Sequence, residues 1–441
     1  MADSAVAESK SLHVPAAYGE PPNGWAWSRL DEVSDGVFDC PHSTPKFTDS
    51  GPFVVRTQDI ITGIFRTDQA GHVSEETYAE RIARVTPSRG DLLYSREGTY
   101  FGIAAEVPAN VRVCLGQRMV LIRPDKRRLH FSFLRNWLNS PIMAAHIHGY
   151  RDGTVAERLN LPTIRALPIL LPPLAQQKAI AAVLGALDDK IELNRRMNAT
   201  LEAMARALFQ SWFVDFDPVR AKLDGRPPAG LDPATAALFP DHLEDSPLGH
   251  MPKGWKAGTV NDSFNFTMGQ SPPGDTYNEE GNGLPFYQGR TDFGFRFPTR
   301  RVFCTAPTRY AKAGDTLVSV RAPVGDINMA NEECSIGRGV AAVRHKSGAS
   351  SFTYHSMANL EPDFAKFEAE GTVFGSINKQ NFENLRFVIP PPEIVAAYER
   401  QAAPLDEQIY NLEHQSRTLT TLRDTLLPKL LSGELSPITT L

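Results

Sequence analysis

The residues that could carry out catalysis do not stand in catalytic combinations in this 441-residue chain. No Gly is followed by Lys, so a Walker A loop for nucleotide phosphates is missing, and no G-x-G-x-x-G follows a predicted strand. The H-E-x-x-H and G-x-S-x-G motifs are missing as well. The string nearest to the Asn-Pro-Pro-aromatic motif of amino-methyltransferases, at Ser271–Gly274, has the wrong first and last residues. We therefore predict no catalytic residue in this chain.

The side chains that bind metals or form acid–base pairs are equally scattered. The four cysteines are Cys40, Cys114, Cys304 and Cys334. They form no C-x-x-C pair, which predicts reduced thiols and neither a disulfide framework nor a zinc site. Cys40–His42 and the pair His146 and His148 lack further ligands at metal spacing, so we interpret them as structural. Asp215 and Asp217 border a predicted helix end, where we expect them to act as caps.

Basic and amide side chains near aromatic residues and glycines recur at matching places in the two halves of the chain. Arg recognises guanine and Gln or Asn recognises adenine, while Gly lets a backbone approach closely. Any one such residue is more often a solvated group or half of an internal ion pair, and most protein–DNA hydrogen bonds go to phosphates. The predicted DNA-binding residues are Arg56, Gln58, Arg96, Gln117 and Arg118 in the first half and Tyr287, Gln288, Arg290, Arg321, Arg338 and Lys379 in the second.

The elements that would position these residues occur twice. At an offset of 218, residues 153–155 (Gly-Thr-Val) return at 371–373, Asn160 as Asn378, residues 172–173 (Pro-Pro) at 390–391, and residues 187–188 (Leu-Asp) at 405–406. Upstream, Gly90 and Asp91 return as Gly314 and Asp315 at an offset of 224. A period above 200 residues indicates a duplicated domain and excludes a solenoid of short repeats.

The sequence pattern of each half predicts a domain of mixed strands and helices followed by one long helix. Gly, Pro and β-branched runs predict short strands with turns, with occasional helices, up to each Pro-Pro. A four-three spacing of mostly apolar residues follows, typical of two helices packed lengthwise as a coiled coil. The seam positions are Ile180, Leu184, Leu187, Ile191, Asn194, Asn198, Leu201, Ala205, Leu208 and Trp212, then Tyr398, Ala402, Leu405, Ile409, Leu412, Ser416, Leu419, Arg423, Leu426 and Leu430. Two amphipathic helices packed on their own domains remain the alternative.

The prolines and the seam predict the limits of the long helices. We expect Pro404 in the first turn of the second long helix and Pro428 to end or kink it. Counted from Leu187 to Phe213 and from Leu405 to Leu430, each helix has about 26 residues, or roughly 40 Å. Residues 215–250, rich in Pro, Gly and Asp, predict an ordered linker with a short helix near residues 233–239.

These patterns predict seven segments along the chain. They are a flexible tail at 1–22, a first domain of mixed strands and helices at 23–173, a central long helix at 174–214, a linker at 215–250, a second such domain at 251–391, a C-terminal long helix at 392–434 and a tail at 435–441. Residues 1–23 have no basic stretch before an apolar one, and the longest apolar or Gly run, Ala179–Leu187, is far short of the roughly 20 residues that span a bilayer. With the scattered cysteines, this predicts a cytoplasmic protein.

The net charge of −5 does not decide whether the chain binds DNA. Residues 24–170 hold 18 Lys and Arg against 16 Asp and Glu, and residues 254–391 hold 14 against 14. The acidic excess of the whole chain therefore lies in the predicted helices, linker and tails. Only the clustering of basic residues within each domain can argue for DNA.

Five strings of the sequence resemble type I restriction specificity subunits. They are Phe209–Lys222, Ala236–Asp241, Pro252–Trp255, Ser335–Arg344 and Leu427–Glu434. The resemblance extends from Gly24 to Leu435 and implies an α/β (α+β) fold with two target-recognition domains, each of which recognises half of a split, asymmetric DNA site. It implies that the two long helices pair antiparallel and dock two methyltransferase subunits, which restriction subunits join. S-adenosylmethionine, ATP and Mg²⁺ are then expected in those partner subunits, in a bacterial or archaeal cytoplasm.

Two other classes of function remain open from the residues alone. The first is a free-standing DNA methyltransferase or nuclease, against which the missing motifs argue. The second is a scaffold that gathers proteins on the same helices and binds no DNA. Binding of a methyl donor would distinguish the first, and salt-dependent duplex binding would exclude the second.

Overall fold

The computed structural model describes residues 13–15, 18–98, 100–148, 158–369 and 375–437. The chain forms two compact units: Met1–Glu192 with Arg417–Leu441, and Leu193–Ser416. The repeated strings at 153–155 and 371–373 lie outside the described residues, as do 1–12 and 16–17 of the predicted first tail and 438–441 of the second. Among the residues that are described, no helix has both the length and the apolar character that crossing a membrane requires.

The first unit contains nine strands, four short helices and parts of both long helices within its described residues. The strands are β1 (Ala26–Arg29), β2 (Ser34–Asp39), β3 (Phe47–Val55), β4 (Gly71–Val73), β5 (Leu92–Ser95), β6 (Ala104–Glu106), β7 (Val113–Leu115), β8 (Met119–Pro124) and β9 (Pro168–Leu171). The helices are α1 (Glu75–Arg81), α2 (Phe131–Leu138), α3 (Pro141–His148), α4 (Leu161–Arg165) and the start of α5 (Leu174–Phe213). The strands form sheets in the orders β2-β8-β5-β6, β4-β3-β7 and β1-β9.

The second unit repeats this plan after a linker. The linker holds α6 (Asp217–Leu223), α7 (Pro233–Ala237) and the hairpin of β10 (Leu243–Ser246) and β11 (Gly249–Pro252). The strands that follow are β12 (Lys256–Thr259), β13 (Phe264–Met268), β14 (Tyr277–Asn278), β15 (Leu284–Tyr287), β16 (Phe303–Cys304), β17 (Tyr310–Ala311), β18 (Thr316–Val320), β19 (Val324–Met329), β20 (Cys334–Ile336), β21 (Val340–His345) and β22 (Arg386–Ile389). The remaining helices are α8 (Val260–Ser263), α9 (Ser350–Asn359), α10 (Glu361–Ala369), α11 (Lys379–Glu383) and α12 (Pro392–Ser432). The sheets run β13-β21-β18-β19, β14-β16-β15-β20-β17 and β12-β22.

The repeated Gly-Asp string is a structural turn in both domains. Gly90 and Gly314 have φ values of +96° and +83°, which favour glycine because a Cβ would be strained there. Asp91 accepts a hydrogen bond from the Ser88 N–H at 2.9 Å, and Asp315 accepts one from the Lys312 N–H at 2.7 Å. The next strands, β5 and β18, are buried along their whole length and lie inside their sheets.

The repeated asparagines each cap a short helix in the same way. Asn160 Oδ1 accepts from the Thr163 N–H and Asn378 Oδ1 from the Asn381 N–H, both at 2.8 Å. Together with the equivalent sheets, these caps show that the duplication of the sequence is a duplication of the fold. The predicted fold class, two domains of mixed strands and helices with two long helices, is confirmed.

The two long helices run antiparallel within each unit. In the first unit, Asp188 of α5 pairs with Arg423 of α12 at 3.0 Å. In the second unit, Asn194 Nδ2 donates to Ser416 Oγ at 3.2 Å, and the Tyr398 hydroxyl donates to the Ala205 carbonyl at 3.3 Å. All twenty predicted seam positions are buried or half-buried, so the four-three spacing identified the packed faces correctly.

The expectation that Pro404 lies in the first turn of the second long helix was wrong, and both long helices extend beyond the stretches counted along the seam, 187–213 and 405–430. The helices have 40 and 41 residues, and Pro392 opens α12 while Pro404 lies in its interior. Proline removes one backbone hydrogen bond at a cost of about 3 kcal/mol. Buried Ala402 and Ile409 on either side pack the helix well enough to outweigh that cost. Pro428 does not end the helix either, because Leu430 and Leu431 are buried just beyond it.

The linker contains the predicted short helix and two further elements. Asp232 caps α7 by accepting from the N–H groups of Ala234 and Thr235, both at 3.0 Å. Helix α6 and the β10–β11 hairpin were not predicted. The expected caps were wrong as well: Phe216 is the N-cap of α6, Asp217 is its first helical residue, and Asp215 accepts a side-chain bond from Gln210.

Candidate nucleic-acid interface

In each domain the strand pairing brings three loops to one place. β7 lies parallel to β3 and β8 antiparallel to β5, so the turn 116–118 between β7 and β8 meets the ends of β3 and β5. β20 and β21 bear the same relation to β15 and β18. We call these places the loop junctions: residues 56–58, 96–98 and 116–118 form the first, and residues 288–290, 321–323 and 337–339 form the second.

The same backbone hydrogen bonds close both junctions. Gly116 N–H donates to the Val55 carbonyl and Gly337 N–H to the Tyr287 carbonyl, each at 2.8 Å. Arg96 N–H donates to the Arg118 carbonyl at 3.0 Å, and Val320 N–H to the Gly339 carbonyl at 2.9 Å. These bonds make position 56 equivalent to 288, position 97 to 321 and position 117 to 338.

The second junction is an open cleft of 570 Å³ lined by three arginines. Gln288, Arg290, Arg321 and Arg338, all predicted DNA-binding residues, lie in its wall and are exposed. Arg290 pairs with Asp326 at 2.8 Å, and Arg338 Nε donates to Ser271 Oγ at 3.3 Å. Arg321 has no ion pair among the described residues. The cleft therefore offers guanidinium and amide donors in excess of nearby carboxylates.

The arginines of the first junction are held by carboxylates instead. Arg56 makes two hydrogen bonds to Asp59, both at 2.9 Å, and the Asp59 side chain is 1% exposed. Arg96 pairs with Asp39 at 3.1 Å and is 17% exposed. For Arg56 and Arg96 the structure thus shows an internal ion pair, which was the alternative to a contact with DNA bases.

The three other predicted residues of the first junction are not bonded to a fully buried carboxylate. Gln58 is exposed. Gln117 Nε2 donates to the His42 carbonyl at 2.7 Å, which leaves its amide oxygen available as an acceptor. Arg118 is 57% exposed, with Glu97 at 3.4 Å. The first junction thus presents amide and acidic groups beside its one accessible arginine.

The two remaining predictions have different outcomes. Tyr287 is 1% exposed and packs in a core cluster with Leu317 and Ile336, so the prediction that its side chain contacts DNA is wrong. It is the last residue of β15, and a strand covered on both faces buries consecutive side chains. Lys379 opens α11, is 59% exposed and pairs with Glu383 at 3.4 Å, so its role stays a prediction.

Two buried aspartates that shape the junctions were not predicted. Asp59 accepts from the Arg56 N–H at 2.8 Å, and Asp292 accepts from the Gln288 N–H at 2.7 Å. Both side chains are nearly inaccessible, at 1% and 4% exposed, and each folds the loop that carries a candidate reading residue. The sequence signal for them was an aspartate three residues after Arg56 and another four residues after Gln288.

The exposed side chains of these surfaces can form hydrogen bonds to DNA. No group of three or more His, Cys, Asp or Glu in the described part of the chain could hold a metal ion. The four cysteines are free thiols and buried, and burial raises the pKa of Cys114 to about 11. Exposed Arg, Gln and Lys side chains on loops are donors that fit base edges and phosphates.

Comparison with known proteins gives one consistent relationship. Residues 23–203 and 252–416 match the type I restriction modification DNA specificity domain. The type I restriction enzyme HindI specificity subunit of Haemophilus influenzae is 26% identical over 446 residues, with 86% of this chain and 94% of the relative covered. A protein of Methanocaldococcus jannaschii, provisionally named a type I restriction enzyme specificity subunit, is 25% identical over 428 residues, with 95% of each chain covered.

One solved structure shares the fold. It is the S subunit of a type I restriction-modification system from M. genitalium, with a TM-score of 0.60 and 16% identity. The match covers 92% of this chain and 96% of the other. The duplicated domains and paired helices described above are thus an architecture already seen in a solved protein.

Proposed function

The chain belongs to the type I restriction modification DNA specificity family, whose domain matches both of its halves, and from that premise we propose that its two domains recognise the two halves of one bipartite, asymmetric DNA site. The observation that carries this proposal is the cleft at the second junction. Its three arginines and Gln288 lie on loops around an open volume whose lining contains no carboxylate among the described residues, and Asp326 pairs with Arg290 from outside that lining. Arg and Gln form paired hydrogen bonds with guanine and adenine edges in the major groove.

The equivalent positions of the two junctions carry different donors and acceptors. Position 97 holds Glu where 321 holds Arg, and position 117 holds Gln where 338 holds Arg. Position 56 holds an Arg that is bonded to Asp59, where position 288 holds an exposed Gln. Because base edges are distinguished by their pattern of donors and acceptors, such exchanges change the bases that a junction selects. Two different half-sites, and hence an asymmetric whole site, follow from this difference.

The partners belong to the same proposal. Duplicated helices give equivalent surfaces on one chain, which two copies of a methyltransferase subunit could occupy, with restriction subunits added. The chain itself then supplies recognition and no catalysis, in the bacterial or archaeal cytoplasm. S-adenosylmethionine, ATP and Mg²⁺ would be bound by the partner subunits. The missing catalytic motifs and the family membership support this division of roles.

A salt titration of duplex binding tests DNA recognition directly. The complex of this chain with methyltransferase subunits should bind a specific duplex with an affinity that falls steeply as salt rises, because phosphate contacts release counterions. Arg321→Ala and Arg338→Ala should each weaken specific binding by about 1–3 kcal/mol and relax one half-site only. Arg300→Ala is the matched control, since Arg300 is 54% exposed and lies outside the cleft wall.

Two results would reject the proposal. Binding that is weak and unaffected by salt would favour a scaffold that does not contact DNA. Unchanged selectivity in both cleft variants would show that the second junction is not the reading surface.

A further inference from the structure

A buried arginine joins the second recognition domain to the paired helices. Arg296, on the loop between β15 and β16, is 0% exposed. Its Nη1 donates to Asp406 Oδ1 of α12 at 2.7 Å, and its Nη2 donates to Glu202 of α5. Its guanidinium carbon lies 3.8 Å from the centre of the Tyr354 ring, and its backbone N–H donates to Glu413 at 3.1 Å. One side chain thus contacts both long helices and α9.

Comparison of the two repeats shows that the Arg296–Asp406 ion pair of the second unit takes the place of an ion pair between the two long helices in the first unit. Asp406 is the repeat of Asp188, and Asp188 pairs with Arg423 of the opposite helix. The repeat position of Arg423 in α5 is Ala205, which carries no charge. In the second unit the recognition domain itself therefore provides the cation for the repeated carboxylate. The first domain also reaches Asp188, through Arg135 at 2.8 Å, but that contact is partly exposed and adds to Arg423.

The loop that carries Arg296 also carries the candidate reading residues. Gln288 and Arg290 precede Arg296 on the segment between β15 and β16. The Arg296 carbonyl accepts from the Met329 N–H at 2.8 Å, and Asn328 Nδ2 donates to the Gly294 carbonyl at 3.1 Å. Strand β19, which holds these two bonds, also holds Asp326, the partner of Arg290. A displacement of Arg296 would therefore be transmitted to the cleft wall.

The buried ion cluster around Arg296 is better explained by the orientation that it imposes than by a gain in the free energy of unfolding. A buried ion cluster replaced by neutral groups of similar size is often neutral or stabilising, whereas removing one partner leaves an uncompensated charge. A planar guanidinium bonded to two carboxylates and stacked on a ring admits few orientations. We propose that Arg296 is a positioning residue that fixes the second junction on the paired helices and so sets the distance and angle at which the second half-site is recognised. This inference rests on the proposed function.

Neutralising Arg296 and both of its carboxylate partners distinguishes an effect on domain positioning from an effect on folding stability. The triple variant Arg296→Met, Glu202→Gln, Asp406→Asn leaves no uncompensated charge, so it should fold and assemble even if Arg296→Met alone does not. The assay is methylation, by the complex with methyltransferase subunits, of duplexes with the first half-site constant, the second varied by single bases and the spacer varied by one base pair. Arg423→Met, which removes the helix-to-helix pair of the first unit, is the matched control.

We expect the triple variant to methylate the correct duplex while its preference over wrong spacers and wrong second half-sites falls about tenfold, or roughly 1.4 kcal/mol. Discrimination within the first half-site, and all preferences of Arg423→Met, should stay as in the wild type. Arg296→Lys keeps the positive charge but not the planar guanidinium that bonds both carboxylates, so it should lose part of the preference for the correct spacer and second half-site. This variant tests the inference if the triple variant does not assemble. Unchanged preferences in assembled variants would overturn the inference. If the wild-type complex itself methylates no bipartite site, the proposed function fails instead.

Discussion

At the scale of single residues, the two junctions differ in how their arginines are held. In the second, Arg321 and Arg338 are exposed in a cleft, whereas in the first Arg56 and Arg96 are bonded to Asp59 and Asp39. The same residue type therefore has two roles. Substitutions of Arg56 or Arg96 should therefore report on stability, and substitutions of Arg321 or Arg338 on recognition.

Arg56→Ala is predicted to destabilise the first recognition domain. The Asp59 carboxylate, 1% exposed, would keep its bond from the backbone N–H of position 56 but lose both guanidinium bonds. An unsatisfied buried acceptor costs about 1–3 kcal/mol, which should appear as a lower free energy of unfolding in a denaturant titration. Arg56→Ala combined with Asp59→Asn should recover part of the loss, since the uncompensated charge is gone. If Arg56→Ala keeps full stability and relaxes the first half-site, Arg56 is a reading residue and our assignment is wrong.

The sequence predicted which loops come together better than it predicted which of their side chains are accessible. Gln288, Arg290, Arg321 and Arg338 lie together in one cleft, as the recurrence of strand-end loops with Gly and basic residues in both halves indicated, and their contact with DNA stays a prediction. The ion pair of Arg96 could not be predicted, because the position of Asp39 relative to Arg96 depends on strand pairing. Asp59, three residues after Arg56, was a signal available in the sequence. Tyr287 was misassigned since burial on both faces of a strand leaves no alternation to recognise.

At the scale of elements, the mostly apolar seam determines where the two long helices form and pack, and the prolines within them do not interrupt them. The four-three spacing identified twenty packed positions correctly, while the prolines suggested helix limits that packing overrides at Pro404 and Pro428. Polar seam residues bond across the pair in both units: Asn194 donates to Gln415 and Ser416 in the second, and Arg423 pairs with Asp188 in the first. A buried polar contact of this kind fixes the register of two helices.

A matched change of length in both helices should alter the spacer of the DNA site. Both α5 and α12 contribute residues to both units, so adding or deleting one heptad at 194–200 and at 412–418 keeps the seam in phase. Seven residues at 1.5 Å each amount to roughly 10 Å, or about three base pairs. Mapping of methylated adenines should show the same two half-sites with a changed gap. A heptad change in only one helix is the control and should prevent assembly. An unchanged gap in a folded, active complex with the matched change would show that the helices do not set the spacing.

At the scale of the whole molecule, the duplication was evident from the sequence but the grouping of its parts was not. Strings repeated at an offset of 218 predicted two equivalent domains, each with its own long helix. The contacts instead group the start of α5 and the end of α12 with the first domain, and the rest of both helices with the second. Leu184 and Leu430 accordingly share one core cluster, and Trp212 and Tyr398 share another. Antiparallel pairing produces this exchange, which the linear order of the segments does not reveal.

We propose that this chain directs a type I methyltransferase to one bipartite, asymmetric DNA sequence. The most direct test is to co-express it with its methyltransferase subunit in a host without adenine methylation and to map methylated adenines at single-base resolution. We predict one sequence made of two different blocks separated by a fixed number of unread base pairs, with Arg321→Ala relaxing one block only. Methylation of a continuous or palindromic sequence, or none from a fully assembled complex, would contradict the account.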